Sequence, residues 1–323
     1  MSYRRTAFGA AASLLLGCMW SVYTAAQQYP ARPVRLIVAS SPGSGVDTVG
    51  RIVGQRIGDV MGAQVFVDNR PGGGGSIGVQ AVAKSAPDGH TLLMVAPSFT
   101  INASLMRPPP YNVVRDFTPV GRATTGQYII IVHPSLPVAS VKELIAFAKS
   151  RPGQLNFGSG ANGNSTHLAG EYFKSLAKID LTHVPYKGSG PAVIELIAGQ
   201  IHLMFANITA GLPQVKAGRL RGLATSGDKR SHAAPDIPTV AESGIPAYVV
   251  TSWFGILAPA RTPQEIVGKL SGALHTAMRS KDLLEKLAGE GAEPAPSTPA
   301  EFGRLIVSEV ETWAKVIKAA GLQ

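Results

Sequence analysis

The sequence predicts an α/β fold of two lobes, joined by two crossing strands that form a hinge. Three observations predict it. Short apolar strands alternate with amphipathic helices along most of the chain, an order that implies parallel sheets with right-handed crossovers. The alternation restarts after Phe117-Thr118-Pro119, so it occurs twice. An extended segment, Tyr248 to Leu257, then carries the chain back, and the helices after it are free to pack on the first unit.

Ahead of the first strand lies a secretory leader, residues 1–26. Arg4 and Arg5 make a basic start, Ala7 to Leu16 an apolar core too short to span a bilayer, and Thr24 and Ala26 a small-x-small exit. Leu15-Leu16-Gly17-Cys18 resembles a lipoprotein box, a second processing route. Cys18 is the only cysteine, so cleavage after Ala26 leaves no thiol for a disulfide, a nucleophile or a metal.

In the first unit, Val34 to Ala39 reads as a strand, followed by a turn at Ser41-Pro42-Gly43-Ser44-Gly45. A helix then starts near Asp47, with Val49, Ile52, Val53, Ile57, Val60 and Met61 at helical spacing. Val65 to Val67 is the second strand, a glycine run opens a helix from about Ile77, and Thr91 to Val95 is the third strand. The second unit takes Tyr128 to Val132, Leu155 to Phe157, Ile201 to Phe205 and Leu220 to Thr225 as strands, with apolar helical stripes between them. Two helices close the chain, the last carrying Phe302, Leu305, Ile306, Trp313 and Ile317 on one face. These boundaries predict a discontinuous first lobe, residues 27–124 plus 251–323, and a second lobe, residues 125–250.

Composition narrows the function. A hydrophobic share of 45% is that of a globular chain. The net charge of +10 would suit an anionic partner, but the basic residues neither cluster nor interleave with aromatics, which excludes nucleic acid and favours a small anion. The seven histidines, His90, His133, His167, His183, His202, His232 and His275, form no zinc pair, so no metal or other cofactor is expected.

Two loops fit an anion site. Ser40 to Asp47 joins strand to helix, with glycines that let amides turn outward at the positive end of a helix. Gly158 to Thr166 occupies the same place in the second unit and is polar, uncharged and rich in hydroxyls. Asp47 reads both as a helix N-cap and as an acceptor for a ligand hydroxyl, ammonium or water, one oxygen for each. Gly74-Gly75-Ser76-Ile77-Gly78 satisfies G-x-S-x-G, so a secreted serine hydrolase using Ser76 is the alternative function. Its elbow, however, needs a strand running straight into the serine, and Asn69, Arg70, Pro71 and three glycines intervene.

The order of these pieces resembles the substrate-binding proteins of tripartite tricarboxylate transporters, the Bug or TctC-like family. The resemblance is carried by Pro42-Gly43-Ser44-Gly45-Val46-Asp47 with Arg51, Asn69-Arg70-Pro71-Gly72, Pro87-Asp88-Gly89-His90, Asp116-Phe117-Thr118-Pro119, His183-Val184-Pro185-Tyr186-Lys187-Gly188, Pro235-Asp236-Ile237-Pro238-Thr239 and Trp253-Phe254-Gly255. It implies a two-lobe periplasmic binding protein fold of type II that holds a small carboxylate without acting on it chemically. It implies partners too: integral membrane transporter subunits, or a membrane sensor in the alternative, with the receptor itself a monomer in the periplasm. On matching positions it points to Ser41, Gly43, Ser44, Gly45 and Asp47 from one lobe, and to Ser159, Asn164, Ser165 and Thr166 from the other, with Ser98 and Asn207 after later strands. The chain departs from the family's V-P-F-P-P-G-G at Ser40 and Ser41, which predicts a more polar and roomier first wall.

Overall fold

β1 (Val34–Val38) is apolar on both faces and lies between β2 (Val65–Asn69) and β3 (Thr91–Val95), parallel to each. A strand covered on both faces has no polar side to alternate, and four of the five β1 residues are buried. The computed structural model describes Tyr29–Ala319; the predicted leader, with Cys18, lies outside the described residues. The sheet and its helices belong to the one compact unit that begins at Arg32.

The helices of the first half are α1 (Gly45–Met61), α2 (Ser76–Ala83) and α3 (Ser98–Leu105). α1 starts two residues before the expected Asp47 and ends at Gly62, whose left-handed φ of 63° is open to glycine at little cost. α3 has no counterpart among the expected helices. Its Thr100, Asn102 and Ser104 are buried, which erases the apolar period. Thr100 donates to the Pro97 carbonyl, and Asn102 donates to the distant Gly74 carbonyl.

β4 (Phe117–Val132) runs far beyond the predicted Tyr128–Val132 and is the first crossing strand. Its first part pairs antiparallel with β9 (Thr251–Pro259). From Tyr128 onward it pairs instead with β7 (Leu203–Asn207) and β8 (Arg221–Thr225). β9 is the second crossing strand and returns the chain to β3. The second half adds α4 (Val141–Ser150), β5 (Asn156–Ser159), α5 (Ser165–Ala177), β6 (Thr182–Pro185), α6 (Ser189–Ile197) and α7 (Ile208–Lys216). β6, a short strand at the end of the sheet that finishes on Pro185, carries too weak an apolar signal to be read from sequence. The strand order is β2-β1-β3-β9-β4-β7-β5-β6.

Three helices, not two, close the described chain: α8 (Gln264–Ala277), α9 (Lys281–Gly289) and α10 (Pro299–Ala319). Phe302 and Ile306 of α10 pack into the core of the first half, with Ile37, Leu93 and Phe99. Trp313 and Ile317 of the same helix join the core of the second half, with Tyr128, Phe157 and Phe173.

At the crossing point Tyr128 is wholly buried, and burial pushes its hydroxyl up to about 12. Ser226 accepts the Tyr128 amide proton and donates to the Val250 carbonyl, and Asn207 donates to Ser252 at 2.7 Å. Side chains of the second half thus tie both crossing strands together where they pass between halves.

Candidate functional site

A cavity of about 130 Å³ lies between the two halves, at the carboxyl ends of their parallel strands. Six helices begin on its wall: α1 through Ser44, α2 through Gly75, α3 through Ser98, α5 through Asn164, α6 through Gly188 and α7 through Asn207. Each helix start carries unpaired amides and a partial positive charge, so together they favour an anion. Among the described residues, the only ammonium on this wall is that of Lys187, an exposed residue.

The sequence-predicted residues divide. Ser44, Ser98, Asn164, Ser165 and Asn207 come together on the cavity wall. Ser41, Gly43, Gly45, Asp47, Ser159 and Thr166 stand behind it, each with another task. Asp47 is a correction. The N-cap of α1 is Ser44, whose hydroxyl accepts the Asp47 amide proton, and both Asp47 oxygens are occupied within the loop. One accepts from the Gly43 amide at 2.9 Å; the other accepts from Asn69 at 2.9 Å and pairs with Arg51 at 3.0 Å. The carboxylate thus holds the loop from within.

Thr166 also holds its own loop. It is fully buried; its hydroxyl accepts from the Gly160 amide at 3.1 Å and donates to Asn164 at 2.9 Å. Ser159 is equally buried, donating to the Ala161 carbonyl with His183 Nε2 at 2.6 Å. His183 stacks on His167 with ring centroids 3.8 Å apart, and His167 Nδ1 accepts the Gly163 amide proton. Burial first, and then the neighbouring His167, hold His183 down at about 4, so it stays neutral.

Ser41, Gly43 and Gly45 lie where the two halves touch. A Cβ on Gly45 would sit 2.1 Å from Thr209 Oγ1, and one on Gly188 would sit 2.0 Å from Ser41 Oγ. Glycine is required at both places for the backbones to approach. Ser41 therefore fills the contact with Gly188 instead of widening the wall, while Ser40 does reach the cavity.

Two wall segments escaped sequence reasoning as site residues. Gly72–Gly75 follows β2, and Tyr186–Ser189 follows β6. Both leave the carboxyl end of a parallel strand, so the rule that selected the first two loops would have found them once β6 was recognised. Ser76 is buried, starts α2 behind the turn Gly73–Gly75, and is not on the cavity wall; β2 ends at Asn69, so the strand-to-serine elbow of a hydrolase is not formed. Among the described residues no group of three or more His, Cys, Asp or Glu is placed to hold a metal ion, and no helix is long and apolar enough to cross a membrane.

Comparison with known proteins bears on the same surface. A model of the tripartite tricarboxylate transporter family receptor matches residues 49–322. BugT of Bordetella pertussis is 38% identical over 298 residues, covering 92% of this chain and 91% of that protein. Among solved structures, the periplasmic binding protein BugD is 30% identical with a TM-score of 0.89, covering 91% of this chain and 99% of its own. An R. palustris protein solved with adipate is 37% identical, with a TM-score of 0.88 and coverage of 91% and 98%. MatC from Rhodopseudomonas palustris, with bound malate, is 29% identical, with a TM-score of 0.84 and coverage of 90% and 100%.

Proposed function

Because the chain belongs to the tripartite tricarboxylate transporter receptor family, we propose that it captures a small carboxylate in the periplasm and hands it to membrane transporter subunits. Its fold is the two-lobe periplasmic binding protein fold of type II, shared with BugD. The observation that supports the ligand reading is the set of six helix starts around one cavity. A carboxylate there meets amides and hydroxyls fixed in place before it arrives, so little reorganisation opposes binding. Adipate and malate in the related structures are both dicarboxylates, which supports the same chemical class. The chain performs no chemistry on what it binds and acts as a monomer.

Residues 27–124 with 251–323, and residues 125–250, are the two bodies that move. The crossing points at Gln127–Tyr128 and Val250–Thr251 are the hinge, because there β4 exchanges β9 for β7 and β8 as its partners. Binding closes the lobes over the ligand through the close contacts at Gly45 and Gly188.

Thermal-shift screening of the mature protein tests this reading, with malate, adipate and other carboxylates set beside their uncharged amides. Carboxylates should raise the melting temperature and the amides should not. Small-angle scattering should then show compaction on saturation. Stabilisation by uncharged compounds alone would end the proposal.

A further inference from the structure

A second concavity shares no lining residue with the interlobe cavity. It is a groove of about 490 Å³ between α10 and the start of β4, within the range of about 300–1,000 Å³ that small-molecule sites occupy. Its floor is Phe117 and Ile306, both packed into the first-lobe core and so fixed in place. Its walls are open to a ligand: Val114 is 64% exposed and Val307 44%, with Val113 and Pro119 partly buried beside them. Gly303 lines the same groove and is the one glycine of α10. A Cβ there would meet Pro119 Cγ at 3.4 Å, an ordinary contact, so packing permits a side chain. Glycine inside a helix is unfavourable, and here it keeps the groove open.

Size and charge decide what covers it. Of the lining, only Val114 and Val307 are large apolar residues on the exposed surface, too little for a protein interface, which takes about 800 Å² from each partner. Arg304 and Glu311 stand exposed on the lining, about 10 Å apart along α10, roughly the reach of an eight-carbon chain. Arg115 and Asp116, next to Val114, pair with one another at 2.7 Å. Glu301, one turn before Arg304, accepts from the Thr298 amide and hydroxyl. Arg304 therefore attracts an anion at one end, and Glu311 repels a second anion at the other.

We propose that the groove is a second binding site, for a medium-chain monocarboxylate whose tail lies on the valines and whose carboxylate meets Arg304. The site is independent of what the interlobe cavity captures.

The test titrates octanoate and octyltrimethylammonium, one tail with opposite charges, calorimetrically into the mature protein. Octanoate should bind about tenfold tighter than the cation. Arg304→Glu should reverse that order, and Val307→Asp should weaken octanoate about tenfold. Both positions are exposed, so neither change should lower the melting temperature. Absence of octanoate binding, equal binding of the two amphiphiles, or an octanoate affinity untouched by both variants would overturn the proposal. Sedimentation of the unaltered protein checks the other occupant: a dimer that Val307→Asp dissociates would give the groove to a second copy and overturn it too.

Discussion

The loop after β1 and the loop after β5 do the same work with different chemistry. In each, the residue before the helix caps it: Ser44 in the first lobe and Asn164 in the second. In each, side chains of the first helical turn reach back to hold loop amides. Asp47 holds Gly43 in the first; Thr166 holds Gly160 and His167 holds Gly163 in the second. The first anchor is a carboxylate tied to Asn69 and Arg51, whereas the second is a neutral hydroxyl and a stacked imidazole pair. The difference teaches that a charged anchor and a neutral one can fix the same kind of loop behind the cavity wall.

The sharpest way to break the comparison is at the charged anchor. Asp47→Ala removes the acceptor of the Gly43 amide and one of the two acceptors of the Asn69 amide. Arg51 is half exposed and adds little of its own, so the loss should be about 3 kcal/mol, mostly from the two hydrogen bonds to a buried carboxylate. Urea unfolding should show the lowered midpoint, and ligand affinity should fall with it. An unchanged midpoint would mean that the first loop is held by something else.

Thr166→Val keeps the shape and removes only the hydroxyl. The Gly160 amide then loses its acceptor, at a cost of about 1–3 kcal/mol. Affinity should weaken through loop disorder, with no change in which ligand is preferred. A change of ligand preference would place this hydroxyl in contact with the ligand after all.

The smallest effect separates the loops by pH. His183 titrates near 4 when folded, against an ordinary value of 6.5, so the unfolded chain binds the extra proton first as pH falls. Its contribution to stability is complete above about pH 6.5 and is lost as pH falls toward 4. The melting temperature of the unaltered protein should therefore drop more steeply across that window than that of His183→Gln. Parallel curves would show that the imidazole pair does not couple the second loop to pH.

Much of this was legible in the sequence. The alternating strands and helices and both anion loops, with Ser44, Asn164 and Ser165 in them, can be read from apolar period, turn chemistry and the rule that ligands sit at strand carboxyl ends, while Ser98 and Asn207 came from the family resemblance. The roles of Asp47, Ser159 and Thr166 were not. A polar side chain that binds a ligand and one that binds its own loop look alike in one dimension, because the choice depends on which amide lies within hydrogen-bond reach, about 3 Å.

What the sequence by itself determined is the two-lobe α/β class and the places where chain turns meet helix starts, since both follow from local period and local backbone preference. Only the tertiary structure decided which of those places share one cavity. It brought Gly72–Gly75 and Tyr186–Ser189 to the wall and drew α10 across both cores. These are contacts between residues far apart in the chain, set by how β4 changes partners at Tyr128, and no local pattern encodes them.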